Sequence, residues 1–187
     1  MARKSRPTLR HALELAVAVA ATALAPAPAH AQAASEYQAK AAFLYNFTKF
    51  VDWPPRAFAS PTAPINVCVL GEEYFGASLD VIQERQAQGR PLTVKRLASI
   101  GQAGSCHILF ISASEDKQVR SLLAAVKGQP LLTVGETDRF AEMGGVINLV
   151  LEDKRIKMEV NLDAAQRHGL KISSQLLRLA RVVGGES

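Results

Sequence analysis

The run Ile65-Asn66-Val67-Cys68-Val69-Leu70-Gly71 carries the fold class of this chain. A strand with one wet face alternates apolar and polar positions. A short run that is apolar at nearly every position belongs to a strand covered on both faces. Cys106-His107-Ile108-Leu109-Phe110-Ile111 reads the same way, and Pro130–Val134 is a further strand. Leu92–Leu97 is more polar, which places it nearer an edge. Helical patterns lie between these runs. One covers Ser78–Gln88, with Leu79, Val81 and Ile82 inward, and ends at Gly89. Another is capped by Ser112 or Ser114, carries Val119, Leu122, Leu123 and Val126, and stops at Gly128, where a glycine suits a helix end. Strands alternating with helices predict a parallel sheet with both faces covered.

Towards the C-terminus the pattern changes. Phe140–Met143 is a helical turn before Gly144-Gly145. Ile147, Leu149 and Leu151 alternate with other residues, and so do Ile156, Met158 and Val160, with Glu152, Asp153 and Lys154 between them. This is an antiparallel hairpin, expected at one edge of the sheet. Asn161 or Asp163 starts a short helix to His168, stopped by Gly169. Ser173 caps a last amphipathic helix, with Leu176, Leu177, Leu179 and Ala180 inward and Gln175, Arg178 and Arg181 outward. Towards the N-terminus, a helix runs from Ser35 or Glu36 to about Val51 and is ended by Trp53-Pro54-Pro55. Its apolar positions exceed one stripe of a 3.6-residue period, so it faces its own core and something else besides. Residues 54–64, with Pro54, Pro55, Pro61 and Pro64, read as a loop.

Residues 1–31 read as a secretory signal peptide, and 32–187 as one domain. Met1–Arg10 is basic, Leu13–Ala25 is apolar, Pro26 and Pro28 break any helix, and Ala29-His30-Ala31 supplies a small-x-small cleavage pattern. The alternative is a membrane anchor, but the apolar run is short of the roughly 18 residues a span requires. Of the formal charge of +5, the leader carries +3 (Arg3, Lys4, Arg6 and Arg10 against Glu14), which leaves 18 basic and 16 acidic residues. No basic stripe remains in the domain, which argues against nucleic acid as a partner. The expected compartment is the periplasm. Cys68 and Cys106 form an even pair in an oxidising compartment, which favours one disulfide; two buried free thiols are the alternative.

The residues show no catalytic constellation. Gly71-Glu72-Glu73-Tyr74-Phe75-Gly76 follows the first core strand without the G-x-G-x-x-G spacing, and its acids would repel a pyrophosphate. Val134-Gly135-Glu136-Thr137 has no P-loop lysine. His107 and His168 are far apart and belong to no H-E-x-x-H or C-x-x-C pattern, so neither a metal nor a cofactor is expected. Ser173 and Ser174 read as helix caps. Arg167, His168 and Lys171 cluster around one turn and would receive an anionic ligand, unless they are simply solvated. Glu72, Glu73 and Glu136 sit where the parallel strands end, the place where such sheets bind small molecules.

Two stretches resemble a known family. One is Tyr37-Gln-Ala-Lys40-Ala-Ala-Phe43-Leu-Tyr-Asn46-Phe47-Thr-Lys49-Phe50-Val-Asp-Trp53-Pro54. The other comprises Gly144-Gly145-Val-Ile147-Asn148, Met158-Glu-Val-Asn161-Leu-Asp-Ala164-Ala, and Gly169-Leu-Lys-Ile172-Ser173-Ser174-Gln-Leu176-Leu177-Arg-Leu179-Ala180. Together they look like the YfiR family of small periplasmic proteins. The resemblance implies a Rossmann-like three-layer α/β sandwich and a regulator rather than an enzyme. It implies repression of an inner-membrane diguanylate cyclase through its periplasmic domain, which lowers cyclic di-GMP and biofilm formation. An OmpA-like outer-membrane lipoprotein is a second implied partner, and a homodimer the implied assembly. Cys68 and Cys106 look like the family's strand-to-strand disulfide. Some relatives have a second cysteine pair near the hairpin; this chain has none there. Phe47, Phe50 and Trp53 near the first helix's end, with Arg178 and Arg181, are the partner-contact candidates, because aromatics and arginine are enriched at interfaces. Core packing or solvated charge would account for them equally. A small-ligand sensor or carrier is the competing function.

Overall fold

The computed structural model describes residues 29–184 other than 73 and 84. Most of the expected leader, and Glu73 among the strand-end acids, therefore lie outside the described residues. The chain opens with α1 (Ala29–Phe50), β1 (Val51–Asp52), β2 (Ile65–Leu70), α2 (Asp80–Gln83), β3 (Gln86–Ala87) and β4 (Arg90–Leu97). It continues with β5 (Ile108–Ile111), α3 (Val119–Ala125), β6 (Leu132–Gly135), β7 (Ile147–Glu152) and β8 (Arg155–Asn161). It closes with α4 (Leu162–Arg167), β9 (Lys171–Ile172), α5 (Ser174–Leu177) and β10 (Ala180–Val183). Eight strands form one sheet in the order β10-β8-β7-β6-β5-β2-β4-β3, while β1 and β9 form a separate antiparallel pair. Among the described residues, β7–β8 and β3–β4 are the antiparallel pairs within the large sheet.

β2 accounts for the layering. All six of its residues are buried. Ile65, Val67 and Val69 join the core beneath α1, whereas Cys68 and Leu70 join the core beneath α3. Successive side chains on a strand point to opposite faces, so a strand between two helical layers must be apolar on both parities. α1 contributes Tyr37, Ala41, Leu44 and Phe47, at helical spacing, to the first core, and Val51 of β1 follows them. α3 contributes Val119, Leu122 and Leu123 to the second. Each fully buried Leu- or Phe-sized side chain contributes about 1.5–3 kcal/mol, which makes these two faces the main source of stability. In the second core Phe140 packs where two glycines leave room: a Cβ on Gly135 would lie 2.2 Å from its ring, and one on Gly145 2.1 Å.

The Rossmann-like α/β sandwich is as expected, with four corrections. The hairpin is not at the edge, because β10 pairs in parallel with the far side of β8. That same strand replaces most of the expected last helix. Ser173 caps it as expected, accepting from the Gln175 N–H, but it closes after one turn. The spacing of Leu176, Leu177, Leu179 and Ala180 fits a helix in a short window, yet Arg181-Val182-Val183 gains a full ladder on β8, and β-branched residues favour a strand. Leu179, read as inward, is 77% exposed. The helix expected over 78–88 is likewise a short α2 followed by β3, and Val81 faces outward. α1 begins before Ser35, at Ala29.

Candidate functional site

In open parallel sheets the ligand position lies beyond the carboxyl ends of the strands. Here β2, β5 and β6 end together, and α1 passes beside them. Glu136 follows β6, and its side chain is 3% exposed. Tyr37 Oη donates to Glu136 Oε1 at 2.9 Å, and the Ala113 N–H donates to the same oxygen at 2.9 Å. Lys40 Nζ donates to Glu136 Oε2 and to Glu36. The Lys40 side chain is itself 4% exposed, so this is a buried ion pair with hydrogen bonds on both carboxylate oxygens. Burial first, then the adjacent Glu136 charge, pushes the Tyr37 phenol far above its usual pKa. Phe75 and the exposed Tyr74 meet the Tyr37 ring edge-on at 5.0 and 5.5 Å.

The chemical consequence is that Glu136 is satisfied, while Glu72 and Glu115 line a separate groove of about 510 Å³ at the ends of β2 and β4. The competing ligand-sensor reading places Glu136 at a pocket, but its oxygens are taken by the chain's own groups. Glu72 is exposed, and its backbone is tied down instead: its N–H donates to Ser114 Oγ at 2.9 Å, and its carbonyl accepts from Ser112 Oγ. Tyr37 and Lys40 had no role in the sequence reading beyond the family stretch. A signal was present: Tyr37, Lys40, Ala41, Leu44, Phe47 and Thr48 share one face of α1, and a buried lysine inside an apolar stripe calls for an acid partner.

Cys68 and Cys106 are joined, with a Cα–Cα distance of 5.9 Å, tying β2 to the approach to β5. Of the partner-contact candidates, Phe47 is fully buried and Trp53 is 7% exposed. Trp53 Nε1 donates to the His107 carbonyl at 3.0 Å. Both side chains therefore pack inside this chain, while Phe50 is half-buried against the same core. Arg178 and Arg181 are exposed, and Arg181 pairs with Glu159. A second apolar side of α1, with exposed Ala42 and half-buried Tyr45, faces outward and with Val81 and Arg85 lines a groove of about 450 Å³ floored by buried Ala41 and Ile82.

The three basic residues read as one cluster separate. Arg167 and His168 share a groove of about 360 Å³ with Arg120 and Lys127. Lys171 lies on β9, in register with Asp52 on β1. His168 is buried, with Nδ1 at 2.7 Å from the Gln129 carbonyl. Burial, with a further push from Arg167, holds its imidazole below the ordinary histidine pKa. Among the described residues no group of His, Cys, Asp and Glu is placed to hold a metal ion, and no helix is long and apolar enough to cross a membrane.

These features define a Rossmann-like α/β sandwich, disulfide-tied, whose first helix covers the Glu136 carboxylate at the strand ends. The chain belongs to the YfiR/HmsC-like family, whose model matches residues 37–181. That family is periplasmic and regulatory rather than catalytic, and it points to the cyclic di-GMP pathway. Among solved structures, the ABC domain in complex with L-Trp from Streptococcus pneumonia is similar at a TM-score of 0.52 and 11% identity, over 76% of this chain and 60% of that one. A conserved domain protein from Vibrio cholerae O1 biovar eltor str. N16961 gives a TM-score of 0.48 and 12% identity, over 63% of this chain and 54% of that one. The chain thus spans less than two thirds of either structure, and at these identities the first likeness is one of fold alone.

Proposed function

We propose that this protein is a periplasmic repressor that binds the periplasmic domain of an inner-membrane diguanylate cyclase and holds the enzyme inactive. The family match over residues 37–181 carries the reading. The Tyr37–Lys40–Glu136 network supports it over the small-ligand sensor, since the Glu136 carboxylate is already satisfied within the chain. The outward apolar side of α1 is the kind of surface that an interaction module presents. Repression of this sort is differential binding: the protein must prefer the inactive cyclase, or it shifts nothing. An OmpA-like outer-membrane lipoprotein that competes for the repressor, and a homodimer, complete the proposed scheme. The test is deletion in a strain with a periplasmic-sensing cyclase, with cyclic di-GMP as readout. A rise that is reversed by the exported chain supports the proposal, and an unchanged level overturns it.

A further inference from the structure

His107 joins two parts of the fold that no backbone ladder connects. It sits just before β5 and is 4% exposed. The Asn66 N–H at the start of β2 donates to His107 Nδ1 at 3.0 Å. His107 Nε2 lies 3.1 Å from the Ala57 carbonyl. An amide N–H can only donate and a carbonyl can only accept, so these partners determine the tautomer: Nδ1 is bare and Nε2 carries the proton. Phe58 stacks on the ring at 4.5 Å between centroids, and the Arg90 guanidinium covers Phe58 at 3.7 Å. Arg90 Nη1 also donates to the Ser60 and Ala63 carbonyls, at 3.0 and 2.7 Å. The proline-rich segment 54–64 is thus held to the end of the sheet by one imidazole, one guanidinium and the phenyl ring between them.

We infer that His107 is an acid-sensitive latch: protonation turns Nδ1 from acceptor to donor and breaks its bond to the Asn66 N–H, and the ring, still donating through Nε2 to the Ala57 carbonyl, leaves the end of the sheet together with segment 54–64. The Asn66 N–H would then face another N–H in a buried position, with no acceptor. The surroundings offer the new charge no counter-ion. Arg90 and Lys95, both on β4, are the charged groups that act on the ring. Segment 54–64 brings only Arg56, and residues 65–70, 100–105 and 108–111 bring no charge at all. An imidazolium would still stack on Phe58, but the other face of that phenyl already carries a guanidinium. Burial, opposed in part by the Ala57 bond and reinforced by the two cations, holds the imidazole below its ordinary pKa. His168 differs. Its bond to Gln129 leaves Nδ1 protonated and Nε2 free beside an open groove, so it can take up a second proton without losing a partner. The latch goes beyond the repressor reading and does not rest on it; it would couple the shape of this end of the protein to the pH outside the cytoplasm.

Amide hydrogen exchange of the full chain at pH 7.5 and pH 5.0, corrected for intrinsic rates, tests the latch. Protection of Asn66 and of the amides in 56–63 should fall at least tenfold at the lower pH while β5 and β6 stay protected. His107→Asn places a non-titrating oxygen near the Nδ1 position and should abolish the pH response; His168→Asn should leave it intact. Should His107→Asn not fold, the ring resonances of His107 in the unaltered protein must titrate together with the loss of protection. Protection constant within twofold across this range, a response that survives in His107→Asn, or ring titration uncoupled from exchange each overturns the inference.

Discussion

Replacing Lys40 by methionine keeps an unbranched apolar stem and removes the ammonium that faces Glu136. Both side chains of the pair are almost wholly buried. Deleting one partner of a buried pair costs about 3–5 kcal/mol, mainly because the surviving charge stays out of water. Glu136 keeps the Tyr37 hydroxyl and the Ala113 N–H, and hydrogen bonds to a charged group are worth about 1.5–3 kcal/mol each. Glu36, the other partner of Lys40, is 20% exposed and can be hydrated. The expected loss therefore lies near the lower bound, about 3 kcal/mol. In urea, with a slope of about 1–3 kcal/mol per molar for a small domain, the midpoint should fall by about 1–3 M. Adding Glu136→Gln removes the stranded charge while retaining an acceptor for Tyr37 or Ala113, and should recover more than half of the loss. A Lys40→Met variant within about 0.5 kcal/mol of the unaltered protein, the range of ordinary surface substitutions, would refute the buried-pair reasoning. So would a double variant no more stable than the single one.

Cys68→Ala should destabilise the oxidised protein by roughly 2–4 kcal/mol, since the 38-residue separation leaves a large loop unconstrained in the unfolded chain; an unchanged urea midpoint would contradict the cross-link. Burial depresses both His107 and His168, so the unfolded chain binds more protons than the folded one once pH drops below about 6.5. Stability should thus be fully present above that pH and decline below it, by up to about 1.4 kcal/mol per pH unit for each histidine; equal urea midpoints at pH 7.5 and 5.0 would reject this. Trp53→Ala should cost about 3–5 kcal/mol as a core truncation, so any deletion-like phenotype it shows should track loss of folded protein in thermal melts. Arg178→Ala, on an exposed side chain, should stay within about 0.5 kcal/mol and yet weaken repression if that arginine touches the cyclase, as the ratio of cyclic di-GMP to folded protein would reveal.

Much of the fold was legible. The nearly continuous apolar run at 65–70 and the apolar run at 108–111 required helices on both sides of the sheet, and both helical layers are present. The hairpin was legible from its alternation, and Asn161 caps α4 as read, accepting from the Ala164 N–H. The C-terminal end was not. Leu176 to Val183 is short and amphipathic under either period, and the free side of β8 decided in favour of a strand. A one-dimensional pattern cannot show that a distant strand has an unpaired edge.

The site divides in the same way. Local chemistry sufficed for what depends on composition and short spacing: the even cysteine pair, which is joined, and the apolar excess of α1. Tertiary structure decided what depends on which groups meet across long separations. Lys40 meets Glu136 over 96 positions, Asn66 meets His107 over 41, and Trp53 meets the His107 carbonyl over 54. Each contact turns a residue that reads as solvated charge, stray histidine or interface aromatic into a buried, partnered group. The reason is physical: the cost of burying a polar group is set by its partner, and the fold alone brings the partner within reach.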